Sequence, residues 1–385
     1  MTNIFVVAAK RTPFGAFGGK FKSVSATDLC AHATKAALQS ANLDPKLVDT
    51  VIVGNVAQTS KDAAYIARHV QLKAGMSIEK PALTINRLCG SGFQSIVNGM
   101  QEIQLGDASI AAPLVAYGDK ARFGVGLGAG LNLEDSLWSA LTDSYAKCAM
   151  GITAENLGAK FDITREQCDE FALRSQTLWA KANEAGVFKD EIAPFEIKVK
   201  GKMETVDTDE HPRGTTLEKL AKLKPVFKEN GLVSAGNASG ISDGAGSVVL
   251  ASEEAVKKYG LKPLARVVSY GVVGVDPSIM GIGPVPAIEQ ALKRANLKLD
   301  DIGLVEINEA FAAQYLSCVK ALGVDPEKGN VNGGAIALGH PLGASGSRIM
   351  AHLTHALPRT GTKYGIGAAC IGGGQGIAII LENVQ

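Results

Sequence analysis

The sequence has almost no excess of charge of either sign, because 39 basic residues balance 38 acidic ones in a chain of 385 residues. A formal charge of +1 provides no overall field that would attract nucleic acid or an anionic membrane. Binding to either is therefore not expected, and an anionic ligand has to be held by local groups.

Metal and disulfide patterns are also missing. The six cysteines form no Cys-x-x-Cys pair and no zinc-type spacing, and no secretory signal precedes them. These absences predict a protein without a disulfide framework or a bound metal, in a reducing compartment. The stretch 3–7 already has the pattern of a strand, so a long cleavable presequence is not expected.

A long uninterrupted apolar helix is not found either. Residues 364–381 carry no charge over a length that would suit a membrane span, but six glycines interrupt them. Two buried strands joined by a turn are predicted there, and no transmembrane segment. The chain is 46% hydrophobic and 20% charged, which predicts a large core in two or three domains or subdomains.

An internal repeat with an offset of 254 residues organises the chain. The segment ALQSANL at residues 37–43 matches ALKRANL at 291–297 in five of seven positions. The same offset superposes residues of two glycine-rich loops: Leu88 on Leu342, Ser91 on Ser345, and Gly92 on Gly346. A duplicated α/β unit follows, in which strands alternate with helices and a mostly parallel sheet is covered on both faces.

The repeat also predicts the domain boundaries. Residues 1–112 form an N-terminal half, to which the apolar stretch at 241–258 returns as an additional strand. Residues 259–385 form the C-terminal half. Between them, residues 113–240 lack the repeat and turn helical and polar, so they form an inserted domain.

Four loops gather reactive side chains and glycines at the ends of predicted strands. They are NRLCGSG at 86–92, NEAF at 308–311, GHP at 339–341 and CIGGG at 370–374. The repeat superposes Asn86 on His340, so the first and third loops should face each other across one cleft.

Cys89 and His340 are the candidate nucleophile and base. Apolar residues at helical spacing follow Cys89, which places it at a helix N-terminus, where the dipole and a nearby imidazole should lower its pKa. A small buried cysteine and a core histidine are the ordinary alternatives. The flanking glycines and Pro341 favour the functional interpretation.

Cys370 is either a small residue in a tight turn or part of an oxyanion hole made by backbone amides.

At these four loops the sequence resembles the thiolase family, most closely the degradative 3-ketoacyl-CoA thiolases of mitochondrial fatty-acid oxidation. The resemblance covers nearly the whole chain, and the occurrence of all four motifs in order is highly specific. It implies a duplicated five-layer αβαβα fold with an inserted loop domain that holds coenzyme A (CoA). It also implies a homodimer or homotetramer, with the mitochondrial matrix as the compartment and the cytoplasm as the alternative.

The resemblance assigns roles to the motif residues. Cys89 is acylated, His340 activates it, and Cys370 moves protons to and from the acetyl carbanion. Asn308 positions a water that forms one oxyanion hole with His340, and the amides of Cys89 and Gly372 form the other. Arg213, Thr215 and Ser239 look like CoA contacts, although a solvated loop and a tight turn explain them as well.

The implied reaction is thiolytic cleavage of a 3-ketoacyl-CoA to acetyl-CoA and a shortened acyl-CoA, with CoA as a co-substrate and no permanently bound cofactor. Two alternatives stay open. The same residues catalyse the reverse condensation of two acetyl-CoA molecules, and a CoA-binding relative could have lost catalysis.

The second alternative arises from a departure from the family pattern. The repeat places a buried strand at residues 109–115, yet here Ile110 passes through Ala111 and Ala112 directly to Pro113. About a dozen family residues have no counterpart near 109–120, including a Gly-Gly-x-Glu-x-Met-Ser segment. Most of a core strand is therefore expected to be missing, with residues 114–117 as a partial replacement.

Overall fold

The structure is a computed structural model that describes residues 2–57, 62–112, 138 and 141–385. Its strands in chain order are β1 (Ile4–Arg11), β2 (Gly15–Ala16), β3 (Thr50–Gly54), β4 (Ala82–Ile85), β5 (Ile110–Ala112), β6 (Thr142–Asp143), β7 (Cys148–Ala149), β8 (Phe195–Val199), β9 (Lys202–Val206), β10 (Ser242–Asp243), β11 (Gly246–Ser252), β12 (Ala265–Gly274), β13 (Leu304–Ile307), β14 (Tyr364–Ile371) and β15 (Gln375–Asn383). The described α-helices are Ala26–Ser40, Ile66–Lys73, Ser91–Leu105, Met150–Lys160, Arg165–Glu184, Leu217–Ala221, Glu253–Tyr259, Pro284–Ala295, Ala312–Leu322, Ala335–Leu338 and Ser345–Thr360.

Nine of these strands form one sheet that repeats itself. The spatial order is β13-β14-β15-β12-β1-β11-β5-β3-β4, so β3, β5, β11 and β1 of the first half mirror β13, β14, β15 and β12 of the second. Within the described residues, the sheet passes from one half to the other through the antiparallel pairs Phe5↔Arg266 and Val6↔Ala265. The duplication predicted from the 254-residue offset is thus present in the strand order.

The prediction of a mostly parallel sheet is wrong. Among the described strands, β3 pairs in parallel with β4 and β5, and β13 with β14, whereas the other ladders are antiparallel. The reason is the hairpin β14–β15 and its counterpart β5–β11, each of which returns a strand directly beside its neighbour. Alternation of helices and strands predicts crossovers, but it does not reveal the strands that reverse direction.

Three apolar clusters separate five layers. In the middle, the helices Ser91–Leu105 and Ser345–Thr360 pack between the two halves of the curled sheet, with Phe93 and Ile349 fully buried. The helices Ala26–Ser40 and Ile66–Lys73 cover the outer face of the first half. Pro284–Ala295 and Ala312–Leu322 cover that of the second. This order is the predicted αβαβα arrangement.

Several local predictions are confirmed. Residues 364–381 form the buried hairpin β14–β15. The stretch at 246–252 is β11, which pairs with β1 and β5 as the return strand. Among the described helices, none combines the length and the apolar character that crossing a bilayer requires.

The structure describes only the first part, up to residue 112, of the segment near 109–120 where a strand was expected to be lost. β5 is present over Ile110–Ala112 and lies between β3 and β11, with Ala111 paired to Thr50 and Leu250. The start of the core strand is therefore kept. The proposed replacement at 114–117 and the rest of the segment fall outside the described residues.

A buried ion cluster ties the inserted residues to β1. The Arg11 guanidinium contacts Glu191 and Asp209, each at 2.7 Å, and all three side chains are almost completely buried. The carboxylates raise the pKa of Arg11 even though its burial opposes this. Because a buried charge without its partner is costly, this cluster fixes the inserted region against the sheet.

The two central helices touch through the symmetry-related glycines Gly92 and Gly346. A Cβ atom at Gly92 would lie 2.7 Å from the Ser347 nitrogen, and one at Gly346 would overlap the backbone of Phe93. No flexible side chain can move aside there. Only glycine therefore allows the two helix N-termini to cross this closely.

We predict that Gly346→Ala lowers the free energy of unfolding by about 1–3 kcal/mol, because overpacking forces the crossing helices apart. Chemical denaturation measures the loss. Gly214→Ala is the control, since a Cβ there meets nothing within 4 Å. Equal midpoints for the two variants would contradict the tight crossing.

Candidate active site

Three of the four motif loops begin at the carboxyl ends of strands. Asn308 follows β13, Gly372 follows β14 and Cys89 comes four residues after β4. β13 and β14 are parallel, and the backbone amide of Asn308 donates to the Ala368 carbonyl at 2.9 Å. Since parallel strands present their carboxyl ends at one edge, the sheet brings Asn308 to the same edge as Cys370.

The loop that carries Cys89 is held by its own polar groups. Leu88 has a φ of 44°, in the left-handed region that is unfavourable for a branched side chain. The Asn86 carboxamide oxygen accepts from the Leu88 amide at 2.8 Å, and the Ser91 hydroxyl donates to the Leu88 carbonyl at 2.7 Å. These bonds hold Cys89 in a short 3₁₀ turn that leads into the helix Ser91–Leu105.

Cys89, Cys370 and Gly372 lie together, as predicted. The Gly372 backbone amide hydrogen-bonds to the Cys89 sulfur. Burial first, and then the proximity of the Cys89 sulfur, raise the pKa of Cys370 well above its usual value. The site therefore contains two neighbouring thiols next to a backbone donor.

The predicted lowering of the Cys89 pKa is wrong. The residue keeps some exposure, but burial of its sulfur raises the pKa to about 11 and outweighs the opposing hydrogen bonds, of which that from Gly372 is the larger. Withdrawal from water disfavours the thiolate more than the helix N-terminus favours it. Cys89 is thus a neutral thiol at pH 7.

His340 is only 5% exposed, and its backbone amide donates to the Gly240 carbonyl at 2.8 Å. Its Nδ1 lies 2.5 Å from the Ser345 hydroxyl, and its Nε2 lies 3.4 Å from the Asn308 side-chain nitrogen. Burial, and then the positive charge of Arg348, lower the pKa of His340 to about 4. The imidazole is therefore neutral at pH 7 and able to accept a proton.

Asn308 is completely buried, and its side-chain oxygen has no hydrogen-bond partner within the described residues. A buried amide oxygen without a partner is costly unless a water or a ligand group donates to it. Asn308 and His340 therefore form a polar site at which a water molecule or a ligand group can donate a hydrogen bond to the Asn308 oxygen.

Apolar side chains border the thiols. Met280 and Ala310 form a small buried cluster with Cys370, and Met150 and Phe311 pack against it. The two methionines were not predictable from the sequence, because isolated methionines in separate segments form no recognisable pattern. These side chains shield the Cys370 sulfur from water.

The predicted CoA contacts do not all lie at one place. Arg213 and Thr215 line two adjoining hollows of about 310 and 230 Å³ on the inserted region. Ser239 instead donates from its hydroxyl to the Ala310 carbonyl at 3.0 Å, next to the Asn308 loop. The structure thus groups Arg213 with Thr215 and places Ser239 nearer to the thiols.

A duplicated five-layer α/β fold that brings two thiols to a backbone amide is the arrangement of thiolase-type acyltransferases. Residues 4–254 match the thiolase N-terminal domain, and residues 261–383 match the thiolase C-terminal domain. The chain belongs to the thiolase family.

Particular relatives are similar over the full length. The mitochondrial 3-ketoacyl-CoA thiolase of Mus musculus is 58% identical over 394 aligned positions, which cover 100% of this chain and 99% of the relative. The crystal structure of the human mitochondrial 3-ketoacyl-CoA thiolase has a TM-score of 0.95 at 58% identity, with 100% and 99% of the two chains covered. The same human enzyme in complex with CoA has a TM-score of 0.94 at 58% identity, with 100% and 98% covered.

Proposed function

We propose that the chain catalyses the thiolytic cleavage of 3-ketoacyl-CoA by CoA, giving acetyl-CoA and a shortened acyl-CoA in fatty-acid β-oxidation. The observation that carries this proposal is the pair of neighbouring thiols, Cys89 and Cys370, at the amide of Gly372. Similarity over the whole chain to mitochondrial 3-ketoacyl-CoA thiolases supports it. CoA acts as a co-substrate and does not stay bound as a cofactor.

In the first half-reaction, the Cys89 sulfur attacks the 3-keto carbon while its proton passes to Nε2 of His340. The bond between C2 and C3 then breaks, which leaves an acyl group on Cys89 and the enolate of acetyl-CoA. The Cys370 thiol donates its proton to the enolate carbon and acetyl-CoA leaves. General acid and general base catalysis are thus divided between two residues.

In the second half-reaction, the Cys370 thiolate takes the proton of the CoA thiol, whose sulfur attacks the acyl carbon on Cys89. Cys89 leaves as the new acyl-CoA forms, and His340 returns the proton to its sulfur. The amides of Cys89 and Gly372 stabilise one developing oxyanion. His340 and a water held by Asn308 stabilise the other. The unpartnered Asn308 oxygen supports that water site.

The proton affinities of the site support this division of roles. Because the pKa of His340 is lowered to about 4, His340 is a free base at pH 7. Because burial and the neighbouring sulfur raise the pKa of Cys370, it keeps its proton until an enolate forms beside it. A thioester enolate is basic enough at carbon to take that proton.

The inserted region, residues 113–240, holds CoA between the two thiolase halves in this proposal. Arg213 supplies the positive charge that a CoA phosphate requires, and Thr215 supplies a hydroxyl beside it. Their two hollows support such a contact. Ser239 lies nearer to the thiols and contacts the pantetheine part.

We expect Arg213→Ala to raise KM for CoA about tenfold with little change in kcat, as the loss of one charge-assisted bond to a substrate phosphate predicts. Steady-state thiolysis at varied CoA concentrations measures it. The control is Arg294→Ala. The Arg213 guanidinium donates to the Ala235 carbonyl at 3.0 Å, and that of Arg294 makes the same kind of bond to the Tyr270 carbonyl at 2.8 Å. An unchanged KM for Arg213→Ala would remove Arg213 from the CoA site.

We also infer a homodimer or homotetramer in the mitochondrial matrix. The edge strand β4 leads into the Cys89 loop and leaves Leu83 43% exposed, with Tyr65 and Ile78 exposed nearby in sequence. An exposed apolar edge is normally covered by a second chain. Sedimentation velocity tests this, and a monomer at micromolar concentration would contradict it.

A thiolysis assay tests the proposed function. The purified chain is mixed with CoA and either acetoacetyl-CoA or a longer 3-ketoacyl-CoA, and substrate loss is followed. Cleavage of both, with the longer substrate preferred, is expected. Activity confined to acetoacetyl-CoA would favour the acetyl-CoA condensing alternative, and a folded but inactive chain would favour a CoA-binding relative without catalysis.

A further inference from the structure

Each duplicated half places a serine at the first residue of its central helix. Ser91 and Ser345 are related by the 254-residue offset, and both are almost completely buried. The Ser91 hydroxyl bonds back to the loop that carries Cys89. The Ser345 hydroxyl lies 2.5 Å from Nδ1 of His340 and donates to the Pro341 carbonyl at 3.2 Å. Ser345 therefore hydrogen-bonds to a side chain that can titrate, His340, whereas the hydrogen bonds of Ser91 go to backbone groups.

We propose that Ser345 is a positioning residue that fixes the tautomer of His340, so that Nδ1 carries the hydrogen and Nε2 stays unprotonated. The inference rests on the proposed role of His340 as the base. The Ser345 hydroxyl lies within hydrogen-bond distance of both Nδ1 of His340, at 2.5 Å, and the Pro341 carbonyl, at 3.2 Å. When its one hydrogen goes to the carbonyl, which can only accept, the hydroxyl oxygen accepts from Nδ1–H. On the other side of the ring, the Asn308 side-chain nitrogen lies 3.4 Å from Nε2, and a donor at this place matches an unprotonated Nε2.

The consequence for proton transfer follows directly. The Cys89 proton moves to the lone pair of Nε2, and the resulting imidazolium keeps its Nδ1–H bond to Ser345. With the other tautomer, Nε2 would already carry a hydrogen and no base would be available to Cys89. A buried imidazole without a partner for Nδ1 would populate both forms, so only part of the enzyme would be competent.

Long-range proton–nitrogen spectra of the chain labelled with ¹⁵N in its six histidines test the proposal in the wild type at pH 7. His340→Gln identifies the His340 signals. We expect a pattern with Nδ1 protonated and Nε2 unprotonated. A protonated Nε2 in the wild type would overturn the proposal, whatever any Ser345 variant does.

Ser345→Ala should shift His340 toward protonation at Nε2 and lower kcat about 10- to 100-fold with KM nearly unchanged, because a general base contributes on this scale. Ser345→Thr keeps a hydroxyl and should restore both the spectrum and most of kcat. Ser347→Ala is the matched control: this neighbour on the same helix is buried and bonds only to the Ala344 carbonyl, at 2.9 Å.

Two results in the variant would also overturn the proposal: a kcat within twofold of the wild type, or a lower kcat with the tautomer unchanged, which would mark Ser345 as merely structural. Failure of the proposed function is distinguishable, because it would appear as a folded wild type without thiolysis, and failure of the role of His340 as base would appear as near-normal thiolysis by His340→Gln. Loss of activity in His340→Gln together with a normal Ser345→Ala enzyme would sink the tautomer proposal alone.

Discussion

Cys89→Ala should lower kcat for thiolysis at least about 10⁴-fold and abolish the acyl-enzyme, because no other group can form the covalent intermediate. Cys370 lies beside it with its pKa raised by burial and by the Cys89 sulfur, and the proposed mechanism provides no base that would take its proton for an attack. The variant should bind CoA with unchanged affinity. Single-turnover kinetics and calorimetry measure these two quantities.

Cys30→Ala is the control for this loss. Cys30 is also buried in the apolar core, burial raises its pKa to about 12, and its sulfur makes a polar contact with the Thr34 hydroxyl on its own helix. Its replacement should leave kcat within about twofold, since truncating one small core side chain affects stability more than catalysis. Substantial thiolysis by folded Cys89→Ala would remove the proposed nucleophile.

His340→Ala should lower kcat by about 10²- to 10⁴-fold, the usual contribution of a positioned base. Cys89 needs that base because its pKa is raised to about 11, so almost no thiolate is present at pH 7. The pH profile adds a sharper test. With its pKa lowered to about 4, His340 stays neutral down to about pH 5, so wild-type kcat/KM should stay nearly constant between pH 8 and pH 6.

A drop in kcat/KM centred near pH 6.5 would show an ordinary histidine instead of a buried neutral one. His355→Ala is the matched control for the substitution. His355 is also shielded from solvent and has its pKa lowered by burial, and its Nε2 contacts the Ala9 carbonyl at 2.9 Å, away from the motif loops. Its replacement should leave both kcat and the pH profile close to the wild type.

The fold was largely accessible from the sequence because it is duplicated. The identical positions at 37–43 and 291–297 set the register of both halves, and the structure repeats it in the order of the strands. Strand direction was less accessible. β11 lies more than a hundred residues after β5 in the chain and pairs with it antiparallel, and such a long-range pairing has no local sequence pattern.

The residues of the candidate site could be predicted from the sequence, but their pKa values could not. The family resemblance implied that Cys89, Cys370 and Gly372 lie together and His340 beside Asn308, and the structure shows both groupings. The direction of the Cys89 pKa was predicted incorrectly, since the helix N-terminus is visible in the sequence and the depth of burial is not. Ser345 was noted only as a match to Ser91, because its contact with His340 depends on how the loop at 339–344 folds back.

Acyl transfer to one identified sulfur tests the central claim most directly. The enzyme is incubated with acetyl-CoA, quenched in acid and digested, and each of the six cysteine peptides is examined by mass spectrometry. An acetyl group on Cys89 alone, absent in Cys89→Ala, is the predicted result. Acetylation of Cys370 in place of Cys89, or turnover with no acylated cysteine at all, would contradict it.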